Sequence, residues 1–287
     1  MSLARYLRSC PPWHRINVDH PGLEMLHECP FIFRVRAFFT PAECAALRAK
    51  AASRLRPQTY DDEGIDSART SMGCVARHEE VSGLRARLAS LVNVSDTQLQ
   101  PLKISRYLRG DRFGIHTDAW RGDRGESAAD PEDLFADRAR GDFGVPGAPI
   151  AGANRIATVF VYLNSCARGG RTRWRWINYD ARLGGEAGER FYESPRPGHG
   201  RTSVTEGSGH TELAVRPEEG MAVVHFPSTV AERGGITDYN AYHESEAAED
   251  EKWVAQQFIW SHARLDWRRV LDAENLEPEQ RLSDSSL

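Results

Sequence analysis

Gly114-Ile115-His116-Thr117-Asp118 sets an imidazole and a carboxylate two residues apart. Residues i and i+2 of an extended strand point to one side, so His116 and Asp118 can reach a single ion, with Trp120 next on that side. A second imidazole would complete the 2-His-1-carboxylate face that suits non-haem Fe(II) and leaves coordination positions open. The tripeptide alone is weak evidence, because a surface histidine beside a solvated aspartate is common.

A second imidazole and a cation follow downstream. His243 precedes Lys252 by nine residues, and Lys252 opens the apolar stretch Trp253-Val254-Ala255. A lysine buried there needs an anionic partner, such as the far carboxylate of a ligand whose near end chelates the metal. The bland alternative is local pairing within Glu249-Asp250-Glu251-Lys252. His225, in the apolar run Val223-Val224-His225-Phe226, is a rival ligand. Buried strand histidines are usually structural, so we read it as a core or supporting residue. No other histidine has partner spacing that supports a role.

The elements that must position these residues are partly legible. Thr40-Pro41-Ala42-Glu43 is a capping box with proline at the first helical position, predicting a helix from Pro41 to about Leu55 with Cys44, Leu47, Ala51 and Leu55 on one face. Leu84, Leu88 and Leu91 predict a second helix, with Ser82 as its cap. Phe31 to Val35 reads as a strand. From Pro101, Leu102, Ile104 and Leu108 share one parity and Lys103, Ser105 and Tyr107 the other, giving a packed and a polar face. Ile156 to Leu163, Arg171 to Tyr179, Met221 to Phe226 and Trp253 to Trp260 read as further strands, with turns at Gly110 and Gly169-Gly170. Two helices followed by short strands predict a mainly β chain with helical support, a sandwich or jelly roll. No Gly-rich strand–turn–helix unit supports nucleotide binding.

Composition narrows the class. The 287 residues are 40% hydrophobic and 27% charged with net charge -4, as in globular chains, and suggest no nucleic-acid partner. The longest apolar run is too short to span a bilayer. Arginines interrupt Met1 to Arg8 before an apolar core can form, so no signal peptide is expected and the location is read as cytoplasmic. Cys10, Cys29, Cys44, Cys74 and Cys166, odd in number and without CxxC spacing, read as reduced thiols.

From Pro30 to His262 the chain resembles the prolyl 4-hydroxylase-like Fe(II)/2-oxoglutarate dioxygenases. The resemblance runs through Phe38 to Cys44, Arg69-Thr70-Ser71, Arg106 to Gly110, His116-Thr117-Asp118, Arg155 to Leu163, Gly169 to Thr172, Gly220 to Phe226 and His243 to Trp253. It implies a double-stranded β-helix, a jelly-roll or cupin-like core, with the N-terminal helices packed on the major sheet. It makes His116, Asp118 and His243 the iron ligands and catalytic centre. Lys252 would pair with the C5 carboxylate of 2-oxoglutarate, with Tyr107 and Thr172 hydrogen-bonded to it. The implied cofactors are Fe(II), 2-oxoglutarate and O2, with ascorbate as a further candidate. The presence of Asp118 implies hydroxylation rather than halogenation.

The expected layout is an N-terminal extension over 1–29, a dioxygenase domain over 30–265 and a C-terminal helix or tail over 266–287. Inserts at about 121–153 and 182–210 are read as surface segments over the site. The chain departs from the family pattern in a one-residue-shorter His243 to Lys252 spacing, in Phe258 where tryptophan is usual, and in Phe113 where tyrosine is usual. Phe113, Trp120, Trp174 and Trp176 are candidate substrate-side residues. The tryptophans wall the cavity mouth on this reading, and are core aromatics on the alternative one. The alternating Arg171, Arg173 and Arg175 read as a solvated face. The expected substrate is a peptidyl, prolyl-type residue, with a free amino acid or small metabolite as the alternative. A metal-free jelly-roll binding module is a third reading.

Overall fold

The computed structural model describes residues 16–28, 30–58, 69–76, 78–119, 155–174, 213–228 and 241–261. Trp120, Trp176, Arg175, both inserts and the C-terminal segment lie outside them.

The first described helix, α1 (Pro41–Ala52), begins as its sequence dictates. The Glu43 amide donates to Thr40 Oγ1 at 3.2 Å, and the Thr40 amide donates to Glu43 Oε2 at 2.8 Å. It stops at Ala52, short of Leu55, although Leu55 is still buried. The second helix, α2 (His78–Leu91), starts earlier than expected and places Ser82 inside it, so Ser82 is no cap. Val81, also buried, extends the apolar stripe of Leu84, Leu88 and Leu91 toward the N-terminus.

Among the described residues, twelve strands form two antiparallel sheets. The larger sheet contains β1 (Leu23–Glu28), β2 (Phe31–Val35), β3 (Arg56–Pro57), β4 (Met72–Val75), β5 (Lys103–Tyr107), β7 (Arg155–Tyr162), β10 (Ala222–His225) and β12 (Lys252–Trp260). Their spatial order is β1-β2-β10-β7-β12-β5-β4-β3. The smaller sheet contains β6 (Phe113–His116), β8 (Thr172–Trp174), β9 (Leu213–Val215) and β11 (His243–Ser245), in the order β6-β11-β8-β9. Strand β1 lies within the stretch read as an N-terminal extension, where little periodicity marks it.

The central strands β7 and β12 are buried along their whole length, because apolar material covers both faces. Val159, Val161 and Ala255 share one cluster with Cys44, Leu47 and Ala51 of α1 and with Leu84 and Leu88 of α2. On the opposite face Phe160, Tyr162 and Val254 join Phe113, Trp174 and Val215 of the smaller sheet. The inner cluster therefore lies between the two sheets, and the parity of β5 follows it. Tyr107 belongs to the inner cluster, and Leu102 and Ile104 to the outer one. Leu108 breaks the expected pattern: it lies past the end of β5 and is 45% exposed.

Gly220 fixes the approach of α1 to the sheet. Its φ is +78°, and a Cβ there would lie 2.1 Å from the Phe39 carbonyl oxygen. Its amide donates to the Tyr162 carbonyl and its carbonyl accepts from the Phe39 amide. Gly220→Ala combines a left-handed backbone cost with a backbone clash and is expected to destabilise the protein by about 3 kcal/mol. Urea denaturation measures it, and a loss below about 1 kcal/mol would contradict this reading.

Candidate metal and dicarboxylate site

Strands β6 and β11 are neighbours, and His243 stands directly opposite His116 in their register. The two rings lie 4.3 Å apart between centroids. Asp118 follows β6 by two residues and turns its carboxylate to both rings. Oδ1 is 3.7 Å from His116 Nε2, and Oδ2 is 3.6 Å from His243 Nε2. One ligand atom from each of the three residues falls within 4.8 Å of the others, and all three residues are buried.

The hydrogen bonds of the rings set their chemistry. His116 Nδ1 lies 2.8 Å from the Gly114 carbonyl oxygen, and His243 Nδ1 lies 3.1 Å from that of Ala241. A carbonyl only accepts, so each Nδ1 carries the proton and each neutral ring keeps its lone pair on Nε2, facing Asp118. Burial, reinforced by the neighbouring His243, holds His116 well below the usual histidine range. Burial lowers His243 to about 4 against the opposing pull of Asp118. Burial pushes the Asp118 carboxyl up, but His243 and a hydrogen bond from His225 outweigh it and hold the group well below the ordinary aspartate range. Two neutral imidazoles and one carboxylate are a donor set that suits Fe(II), so these residues fit the ion.

His225 is not part of this three-residue group. Its Nε2 lies 3.1 Å from Asp118 Oδ2, and its side chain is fully buried. Phe113 stacks on the His116 ring at 3.6 Å, and the Arg69 guanidinium sits 4.4 Å above the Phe113 ring. Arg155 donates to the Asp118 carbonyl oxygen at 3.4 Å and covers the Phe258 ring at 4.1 Å. Trp174 is fully buried in the inner cluster, 5.7 Å from the rings of both His225 and His243. Arg173, on the opposite face of its strand, makes ion pairs with Glu244 and Glu246.

The cation lies on the larger sheet. Lys252 is 2% exposed and opposite Tyr107 in register. Its Nζ donates to Ser245 Oγ at 2.7 Å and lies 5.1 Å and 5.5 Å from the Tyr107 and Tyr162 ring centroids. Burial lowers the ammonium to about 7, against weaker upward pulls from Cys166 and Glu246. Thr172 pairs with Ser245 in register, and its hydroxyl accepts from Tyr162 at 2.8 Å. Lys252, Ser245, Thr172, Tyr162 and Tyr107 thus form a buried polar group with one titratable cation. Sequence reasoning missed Ser245 and Tyr162. Tyr162 shares the inward parity of Phe160, and that was its available signal.

The short connection from His243 to Lys252 is held by backbone hydrogen bonds. The Gly110 and Gly170 amides donate to the Ala248 and Ala247 carbonyls, and the Ala248 amide donates to Asp111. Gly170 also leaves room for the lysine stem, since a Cβ there would meet Lys252 Cδ at 3.3 Å.

No family model matches the chain. The curated relatives it resembles include the probable prolyl 4-hydroxylase 6 of Arabidopsis thaliana, 25% identical over 259 residues, spanning 86% of this chain and 74% of that protein. The probable prolyl 4-hydroxylase 7 of the same plant is 24% identical and spans 84% of this chain and 66% of that protein. The viral collagen prolyl hydroxylase of Paramecium bursaria Chlorella virus-1, solved as its 2-oxoglutarate complex, shares the fold. Its TM-score is 0.51 at 14% identity, over 83% of this chain and 99% of that one. In sequence the chain is thus similar to plant prolyl 4-hydroxylases, and in fold to a viral collagen prolyl hydroxylase.

Proposed function

We propose that the protein hydroxylates an unactivated C–H bond of a peptidyl, prolyl-type residue, using Fe(II), 2-oxoglutarate and O2. The observation that carries this reading is the pairing of a buried His116–Asp118–His243 donor set with a buried lysine whose hydrogen-bond partner is a hydroxyl, Ser245. His116, Asp118 and His243 hold the metal through two Nε2 atoms and a carboxylate oxygen. Lys252 holds the far carboxylate of 2-oxoglutarate, with Tyr107 and Thr172 beside it. Iron with its cosubstrates supplies the oxidising power for C–H hydroxylation, and succinate and carbon dioxide are released. The protein's residues bind, orient and exclude water.

The domain on this reading is 30–265, a double-stranded β-helix with α1 and α2 buttressing its larger sheet. No described helix is long and apolar enough to cross a membrane. The buried cysteines Cys44, Cys74 and Cys166 are free thiols and accord with a reducing compartment. A free amino acid or small metabolite is the second substrate reading. Phe113 favours it, because its ring, capped by Arg69, has no hydroxyl to offer a prolyl substrate.

Anaerobic addition of Fe(II) and 2-oxoglutarate is expected to give the visible charge-transfer band of the chelate. Admission of oxygen, with ascorbate and a panel of prolyl peptides and amino acids, is expected to give succinate and a hydroxylated product. Absence of the band in the folded protein at saturating iron would refute the proposal.

A further inference from the structure

His225 lies outside the donor set, yet its Nε2 is 3.1 Å from Asp118 Oδ2 across 107 residues of sequence. A carboxylate oxygen accepts, so His225 Nε2 carries the proton in this contact. In a neutral ring Nδ1 is then bare. Both His225 Nδ1 and Thr158 Oγ1 are buried with no hydrogen-bond partner among the described residues. Thr158 is the register partner of His225 on β7, so the two side chains stand side by side on the inner face of the sheet. A hydroxyl can donate to a bare imidazole nitrogen after a small rotation. Three rings fix the plane of His225: His243 at 4.6 Å, Trp174 at 5.7 Å and Phe160 at 6.1 Å, each T-shaped to it.

From this geometry we propose that His225 is a positioning residue, backed by Thr158, that ties down Oδ2 and leaves Oδ1 as the metal-binding atom of Asp118. Among the described residues Oδ1 takes no hydrogen bond and faces His116 Nε2. A carboxylate with both oxygens loose can bind an ion through two atoms and occupy an extra position. One oxygen held by the protein keeps it a single-atom donor and preserves the open positions that 2-oxoglutarate and dioxygen need. The inference rests on the proposed metal-binding reading.

The test uses Co(II) alone as a spectroscopic probe on the full chain, so turnover is not needed. His225→Phe removes the donor and keeps a planar ring, whereas His225→Gln keeps an N–H at the same reach. The Co(II) dissociation constant is expected to rise by about 10- to 100-fold in His225→Phe. It should stay within about threefold of wild type in His225→Gln, the difference a single retained hydrogen bond makes. Unchanged affinity in His225→Phe, or an equal fall in both variants at unaltered melting temperature, overturns the inference. If His225→Phe does not fold, Thr158→Val against Thr158→Ser carries the same question. A weakening of about three- to tenfold in the valine variant alone supports the relay, and equal affinities overturn it. Wild-type protein that binds no Co(II) overturns the metal-binding reading itself, and this inference with it.

Discussion

Lys252→Met is expected to raise the concentration of 2-oxoglutarate needed for half-saturation by roughly 30-fold to several-thousandfold. Removing one partner of a buried, hydrogen-bonded charge pair costs about 2–5 kcal/mol, and each 1.4 kcal/mol is about tenfold. Lys252 is buried, donates to Ser245 Oγ, and lies beside Tyr107 and Tyr162. Titration of the anaerobic iron chelate, or calorimetry, measures the loss, and an unchanged midpoint would contradict the assignment. The pH dependence adds a signature. Burial lowers the free lysine to about 7, so it is charged below that value and neutral above it. Wild-type affinity should therefore be level below about pH 7 and weaken toward alkaline pH, by up to about tenfold per unit. The methionine variant should lack that slope. Stability moves in the opposite sense. Between about 7 and the ordinary lysine value of 10.5 the unfolded chain binds more protons than the folded one, so ligand-free wild type gains stability as pH rises through that window.

The second large effect is expected at His243. His243→Ala removes one of two neutral imidazoles facing Asp118 and should reduce succinate formation on the order of 10³-fold, as loss of several kcal/mol of metal-derived stabilisation implies. The charge-transfer band should vanish with it, while His225→Ala should weaken the band without abolishing it. The reverse pattern, a band surviving in His243→Ala and lost in His225→Ala, would exchange their roles.

Local physics made part of this legible in the chain. Thr40 and Glu43 specify the start of α1 because both halves of a capping box lie within one turn. The alternation of β5 separates Tyr107 from Leu102 and Ile104, since period-two patterning reports which face is buried. Readings failed where a long-range contact decides. Ser82 looks like a cap until Val81 packs into the core and carries the helix past it. Leu108 shares the parity of Ile104, but β5 ends before it. Strand β1 has weak patterning and owes its place to pairing with β2. At the site, spacing alone was weak evidence, and it was the resemblance to the dioxygenases that pointed to His116, Asp118, His243 and Lys252. The His225 contact with Asp118 and the Ser245 contact with Lys252 depend on how strands are laid beside one another, and no local pattern encodes that.

The two sheets contribute unequally to what they enclose. The larger one, buried on both faces at β7 and β12, carries Lys252, Tyr107, Tyr162 and His225. The smaller one carries His116 and His243 on β6 and β11, strands of four and three residues. Strands so short gain little from their own ladder, and excursions that open them involve only a small part of the core. An ion held between neighbouring strands would act as a rivet, adding its binding free energy to their closure. On the proposed reading the metal centre would also be the fastener of the lighter wall, and losing the ion would loosen amide protection along β6 and β11 before the heavier sheet registered any change.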